Sequence, residues 1–379
     1  MEATDEEWSD ARRLSKEETL RLIETKVLEL LRAVKQGENP SMTLVNRSGS
    51  NALRDRRGVL HLGQHRTTRY LFPKRSEGRT GRLSLRSGAQ SFARIWQALA
   101  LVYQLVQEGK TATQREAYYC LVKHFKSQIE FNNTLQGMQA LRLVAYHISG
   151  GIAGLLLWKE NDGNWENCSA SSNGKRIPGS IDDTTHQFRS MGARYILVVE
   201  KDAVFTYLCG QRIWDSLPCI LMTGCGYPSL SVRALLKQLQ TQFDLPVLGL
   251  FDYNPHGLRI LLTYRYGSVR MGTESYAYAV DIHWLGVHYK DLFEDDGSPK
   301  VSPSSLQTWT ASDQRVSNGL KSRLQHCTGV PDYIRELEIM ERKETKAEIE
   351  ALNGHGAAGG GMDTLESKII HKILCKKYY

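Results

Sequence analysis

The sequence predicts an α/β protein: an N-terminal domain of winged-helix type, then a domain built on a parallel sheet. Two patterns carry this. Between residues 14 and 144 apolar residues return at helical spacing, and the stretch behind them alternates short apolar runs with turn residues. After Ala193, the β-branched runs RYILVVEKD, PCILMTG and PVLGLFDYN are each followed by a helical segment, as in a parallel sheet covered on both faces.

Residues 14–36 carry Leu20, Ile23, Val27, Leu28, Leu31 and Val34 on one helical face, and Ser15 with Glu18 forms a capping box at the start. Residues 37–90 are polar, aperiodic and rich in Gly and Arg, which predicts a basic arm or loop. Residues 91–170 are assigned to the winged-helix domain. Its first helix is marked by Phe92, Ile95, Trp96, Leu99, Val102, Tyr103 and Val106 and stops at Glu108-Gly109. Thr113 and Glu116 cap a second helix in TATQREAYYCLVKHF, and Asn132 or Asn133 caps a third that reaches about Val144. YHISGGIAGLLLWKENDGNWEN then has the apolar runs and Gly and Asn turns of a β-wing, so this domain is expected to present a helix to nucleic acid. Residues 171–379 make the sheet domain with a C-terminal helical extension; GHGAAGGG at 354–361 reads as a flexible insert, since no strand precedes it.

With 379 residues, 41% hydrophobic and 24% charged, the chain can bury sizeable cores, and global disorder and disulfide-stapled mini-folds are excluded. Lys and Arg number 49 against 41 Asp and Glu, a formal +8. Residues 54–94 hold eleven basic side chains against Asp55 and Glu77, a local +9, so the remainder sums to −1. Such an excess fits a polyanionic partner or a solvated basic tail. Seven scattered cysteines without a CxxC pair fit free thiols in a reducing compartment and speak against a structural zinc. The acidic N-terminus lacks the apolar run of a secretory leader, and no stretch approaches 18 apolar residues, so cytosol or nucleus is expected and no membrane.

Three groups of residues are able to carry chemistry. Glu200 and Asp252 each follow an apolar strand, which puts both on the carboxyl rim of one sheet, where such folds bind ligands. With Asn254 they offer the hard oxygen donors that Mg²⁺ accepts; the alternative is that each acid caps the next helix. In TQREAYY, Arg115 and Tyr119 lie four apart on one helical face, a guanidinium beside a phenol that is able to attack a phosphodiester if positioned and electrostatically assisted. Two tyrosines on an amphipathic helix are more often packing residues, a role that suits Tyr118. In TGCGYPSLSVRALLKQL, Gly224 and Gly226 permit close backbone approach to phosphate, and Arg233 and Lys237 share a face that would follow a DNA backbone, although Gly-Tyr-Pro is also an ordinary turn. There is no GxxxxGK[ST], HExxH, GxSxG or GxGxxG on a strand–helix turn, so any ATP dependence must come from a partner.

TQREAYY, VVEKDAVF, TGCGYPSLSVRALL, GLFDYNPHG and DIHWLGVHYKDL, in this order, resemble the family of topoisomerase VI A-type subunits, together with their eukaryotic descendants that make meiotic DNA double-strand breaks. TLVNRSGSN, Asn254 and KAEIEAL lean toward the second plant-type paralogue of that branch, and the resemblance spans about residues 20–379. It implies a CAP-like winged-helix domain followed by a Toprim domain, a Rossmann-like metal-binding module. It implies that Tyr119 is the nucleophile, with Arg115 beside it, and that Glu200, Asp252 and Asn254 hold Mg²⁺. The reaction would be a transesterification leaving each tyrosine on a 5′ DNA end. The implied partners are duplex DNA, a second or paralogous A-type chain and a topoisomerase VI B-like subunit, in the nucleus. Arg233, Gly226 and Lys237 are the candidate DNA contacts, and the helix within residues 1–36 offers the B-like subunit a docking face, although an apolar helix face ordinarily joins the chain's own core. Asn254 replaces the family's second aspartate, Cys225 its TGxGYP lysine, and Gly151 a usually basic residue. These departures leave open a catalytically silent DNA-binding protein that acts with an active paralogue.

Overall fold

The computed structural model describes residues 16–45, 51–55, 58–62, 65–72, 85–110, 112, 114–138, 150–159, 163–178, 187–267, 278–325, 327, 331–353 and 364–379. Ser15, Thr113, the expected end of the third helix at Val144, the start of the wing segment and GHGAAGGG lie outside them. The chain forms two compact units: Met1–Leu53, Leu60–His147 and Ser268–Ala277 in one, and Arg54–Val59, Ile148–Gly267 and Tyr278–Tyr379 in the other.

The first unit contains α1 (Lys16–Lys35), β1 (Ser41–Val45), β2 (Ala52–Arg54), which continues into the second unit, β3 (Leu60–Leu62), β4 (Arg66–Tyr70), α2 (Leu85–Gln107), α3 (Gln114–Cys120) and α4 (Gln128–Met138). Its core gathers Ile23, Met42, Phe92, Ile95, Leu99, Ala117, Phe125, Phe131 and Leu135. Only the N-terminal half of the α1 stripe enters that core, and Leu28, Leu31 and Val34 are 50–59% exposed. The expected loop at 37–90 is corrected by β1–β4. β1 pairs antiparallel with β4 from Ser41↔Tyr70 to Val45↔Arg66, and α2 already begins at Leu85. β1 escapes a search for apolar alternation because its buried Met42 stands between exposed Ser41 and Thr43 in a strand of five residues. The third helix also starts earlier than expected. The Ser127 hydroxyl accepts from the Glu130 N–H (3.2 Å) at its start, and Asn132 and Asn133 sit inside it.

The second unit contains β5 (Gly151–Gly154), β6 (Leu156–Lys159), β7 (Trp165–Asn167), β8 (Lys175–Arg176), β9 (Gln187–Ser190), β10 (Tyr195–Val199), α5 (Asp202–Gly210), α6 (Ile213–Ser216), β11 (Cys219–Thr223), α7 (Leu230–Phe243), β12 (Val247–Leu250), α8 (Pro255–Tyr266), β13 (Ile282–Gly286), α9 (Tyr289–Leu292), β14 (Leu306–Thr308), α10 (Ala311–Leu324), α11 (Pro331–Lys343), β15 (Thr345–Ala347) and α12 (Leu365–Leu374). Six strands form one sheet in the order β13-β12-β10-β11-β5-β8. The first four are parallel, three of them (β10, β11 and β12) as expected from their unbroken apolar runs and β13 in addition, and the two at the other edge are antiparallel. The strands expected to form a wing are placed otherwise: β5 pairs with β11, and β6 lies between β7 and β9 in a separate three-stranded sheet. The compact units therefore divide between residues 147 and 148, not at 170. Apolar runs broken by Gly and Asn fix strands and turns, but not which sheet the strands join.

Candidate active site

In the second unit, β10 and β12 are adjacent and parallel, with Val199 opposite Leu250. This register delivers Glu200 and Asp252 to one rim, where the Asp252 N–H donates to Glu200 Oε2 (2.9 Å). Gly257 makes room for α8 beside them. A Cβ there would meet the Asp252 carbonyl oxygen at 2.5 Å and Glu200 Oε2 at 3.1 Å. Burial, and then the neighbouring Asp252 charge, raise the Glu200 carboxyl above the ordinary range. Burial raises Asp252 as well, against the pull of the Lys201 ammonium 3.3 Å away.

Lys201 binds more than Asp252. Its ammonium also reaches Glu348 and Glu350, both at 2.8 Å, and although burial opposes its charge these carboxylates hold its pKa up. The Ile349 N–H donates to Asp252 Oδ1 (2.9 Å), so the segment after β15 is tied to the rim from both sides. Lys201, Glu348 and Glu350 were not among the residues the sequence singled out. Their signal is faint: a lysine directly after Glu200, and two glutamates two residues apart in KAEIEAL, 147 positions further on.

Asn254 lies close in sequence but serves the helix. Its side-chain oxygen accepts from the Gly257 N–H (2.8 Å) as the N-cap of α8. The rim thus brings two carboxylates together, and among the described residues no group of three or more His, Cys, Asp or Glu side chains is arranged to hold a metal ion. The pair itself suits a hard cation, since two largely desolvated carboxylates with raised pKa values lack positive charge that Lys201 only partly supplies.

The loop after β11 covers the same rim. The Gly226 N–H donates to the Glu200 carbonyl (2.8 Å), with Cys225 and Gly226 at φ of 52° and 93°. Glycine tolerates that left-handed backbone freely. Arg176 forms a two-pronged ion pair with Asp202 (2.8 and 3.1 Å) and reaches Cys225 Sγ at 3.6 Å, so a guanidinium from β8 stands at this loop. Gly151 pairs with Arg176, and a Cβ there would meet the Phe205 ring at 2.8 Å, which explains the absence of a side chain.

Arg233 must be withdrawn as a DNA contact. It is 0% exposed, its guanidinium donates to the Tyr278 carbonyl (3.0 Å), and burial pulls its pKa down to about 10. Helix α7 is buried on every side from Ser231 to Leu236, so the basic face shared with Lys237 does not form; Lys237 itself is half-buried. Arg233→Gln should lower stability by about 1–3 kcal/mol through the lost buried hydrogen bonding. The salt dependence of DNA binding should stay unchanged, because this cation neutralises no phosphate. Thermal denaturation and the slope of log affinity against log salt check both; a slope reduced by about one would restore Arg233 as a phosphate contact.

In the first unit, Tyr119 is 57% exposed on α3, and Arg115 Nη2 donates to its hydroxyl at 3.4 Å, with the guanidinium 5.8 Å from the ring centroid. Tyr118 turns inward and packs at 6.1 Å against Phe131. The helix thus separates the two tyrosines by one residue's rotation, one to the core and one to solvent. The basic run is less free than its charge suggests. Arg94 forms an ion pair with Glu130 (2.6 Å) and Arg54 donates to the Gly58 carbonyl (2.7 Å), while most of the rest lies outside the described residues. No described helix is long and apolar enough to cross a membrane.

Comparison with known proteins covers both units. Residues 195–369 match the family of Toprim domains found in Spo11 and the topoisomerase 6 A-type subunits, and residues 90–142 match the family "Type IIB DNA topoisomerase". The chain is 33% identical to the meiotic recombination protein SPO11-2 of Arabidopsis thaliana over 373 residues, covering 94% of this chain and 91% of that protein. It is 32% identical to human meiotic recombination protein SPO11, with 90% and 85% covered. Identity to the A-type DNA topoisomerase 6 subunit, from Arabidopsis thaliana, is 28%, with 88% and 76% covered.

Proposed function

Because the chain belongs to the Spo11/topoisomerase 6 A-type family, we propose that it is a topoisomerase VI A-like enzyme that cuts DNA and makes the double-strand breaks of meiotic recombination. In this reading the Tyr119 hydroxyl attacks a backbone phosphorus, the 3′ oxygen leaves as a hydroxyl, and Tyr119 stays bonded to the 5′ phosphate. Arg115 orients the phenol and neutralises the phosphate charge. The observation that carries this is the exposed Tyr119 whose hydroxyl accepts from Arg115, on a helix whose other tyrosine is partly buried against the core.

Glu200 and Asp252 would hold Mg²⁺, with Asn254 at the edge of the site as a weaker donor already engaged as a cap. Bound there, the ion supplies charge stabilisation at the scissile phosphate. Gly226 and Lys237 remain candidate contacts to the DNA backbone, and Arg176 brings the Cys225 loop a cation where the sequence lacks lysine. This reading requires three partners, namely duplex DNA, a second or paralogous A-type chain, and a topoisomerase VI B-like subunit, with the nucleus as the compartment. The exposed apolar half of α1 supports docking of the B-like subunit.

A second reading, a silent protein that binds DNA beside an active paralogue, is favoured by one observation: Asn254 caps α8, leaving two carboxylates for the ion. One experiment separates the two. The purified chain with its partners is given duplex labelled at its 3′ ends, which stay on the fragment bonded to tyrosine, then denatured and run on a protein gel. Label travelling with this chain in Mg²⁺ but not in EDTA supports the enzyme; DNA binding equal in Mg²⁺ and EDTA, with no label on this chain, supports the silent protein.

A further inference from the structure

The second unit holds a cavity of about 810 Å³ around α9, α12 and the residues that follow each, and neither Glu200 nor Asp252 lines it. Its wall carries Lys290, Lys300, Lys368, Lys372, Lys376 and Lys377 against only Asp291 and Asp295. The last turn of α12 sets two of these in place, through Lys376 N–H to the Ile373 carbonyl (3.1 Å) and Lys377 N–H to the Lys372 carbonyl (2.9 Å). Lys372 is 8% exposed and forms an ion pair with Asp291, with its ammonium 3.3 Å from His288 Nδ1. Lys300 is braced by Glu294 at 3.2 Å and the Lys290 carbonyl at 3.0 Å, while Lys290, Lys376 and Lys377 are exposed. Tyr378 and Tyr379 complete the wall, and the Tyr379 ring lies 4.3 Å from that of His288.

Like charges gathered on a concave wall repel one another, and the lysines outnumber the acids that could offset them. A multivalent anion relieves that repulsion at several points at once. The volume lies in the range of small-molecule sites, roughly 300–1,000 Å³. Ammonium groups on flexible stems suit phosphate as point charges. A duplex presents a convex backbone that meets the exposed lysines but does not reach the buried ammonium of Lys372 on the concave wall. We propose that this cavity binds a small anion carrying several phosphate groups, at a site separate from the carboxylate pair.

The probe is inorganic tripolyphosphate, titrated calorimetrically into the full chain in EDTA at fixed ionic strength, so that metal chelation plays no part. Lys290→Ala/Lys376→Ala removes two exposed ammonium groups and should leave the thermal midpoint unchanged while weakening binding at least about tenfold, the effect of two lost charge-assisted contacts. Lys35→Ala, on exposed α1, should bind as the parent chain does. Lys372→Met should also weaken binding, and the double variant keeps the proposal testable if that chain does not fold. Absent tripolyphosphate binding, or affinity equal in the parent chain and the double variant, overturns the proposal. So does a double variant that loses duplex affinity while tripolyphosphate affinity stays intact, because the lysines would then form a face for DNA backbone. Since the titration needs neither cleavage nor metal, its outcome is independent of the role given to Tyr119.

Discussion

Tyr119→Phe is expected to abolish transfer of a 3′-end label from DNA to this chain, by a factor of at least about 10³, the scale on which loss of a nucleophile is felt. The substitution removes one oxygen and keeps the ring. The ring is 57% exposed, so the fold loses almost nothing, and the Arg115 guanidinium retains its position over the face. The lost Arg115–Tyr119 hydrogen bond is long and solvent-facing, worth at most about 1 kcal/mol, so DNA affinity should change less than about fivefold. Tyr118→Phe is the control, since Tyr118 packs against the core and should keep full label transfer. Equal label on parent and Tyr119→Phe chains, measured in the same complex, would sink the covalent role of Tyr119.

Glu200→Gln should separate stability from activity. The carboxyl is raised by burial and by the Asp252 charge, so in the folded chain it holds its proton to higher pH than in the unfolded one. Its ionisation therefore opposes folding above the raised value, and the cost fades as pH falls through that value toward the ordinary carboxylate range, about 4.3. A glutamine keeps an oxygen for the Asp252 N–H and carries no charge. In EDTA at pH 8 the variant should be more stable by about 1–3 kcal/mol, with most of the gain gone by pH 5. Mg²⁺-dependent label transfer should fall by at least about 10²-fold, as expected when a ligand of a charge-stabilising ion is lost. Denaturation midpoints at both pH values check the first effect and the gel assay the second; a variant less stable than its parent at pH 8 would contradict the desolvated-pair account.

The parallel strands, the rim position of Glu200 and Asp252 and the division of labour between Tyr118 and Tyr119 were legible because each follows from a local pattern: an acid ending an apolar run, or two residues on a helix of known pitch. Arg233 was misread because amphipathicity assumes that one helix face meets water, and α7 is packed on all sides from Ser231 to Leu236. The destination of the 151–159 strands was hidden for a different reason. Hydrogen bonding between strands is not specific to sequence, so β5 shows its apolar character without showing that its partner is β11, 65 or more residues away. Lys201, Glu348 and Glu350 form one ionic group across about 150 positions, a separation that no spacing rule spans.

That ionic group bears on how the chain meets a metal. Lys201 sits against Asp252 with a positive charge of its own and is fastened to the segment beyond β15. The protein thus carries a tethered understudy for the ion, one that keeps the acidic rim assembled when no metal is bound. If the rim takes up the proposed ion, a chelator should silence the chain without dismantling it, and metal added back should displace a lysine instead of refolding a domain.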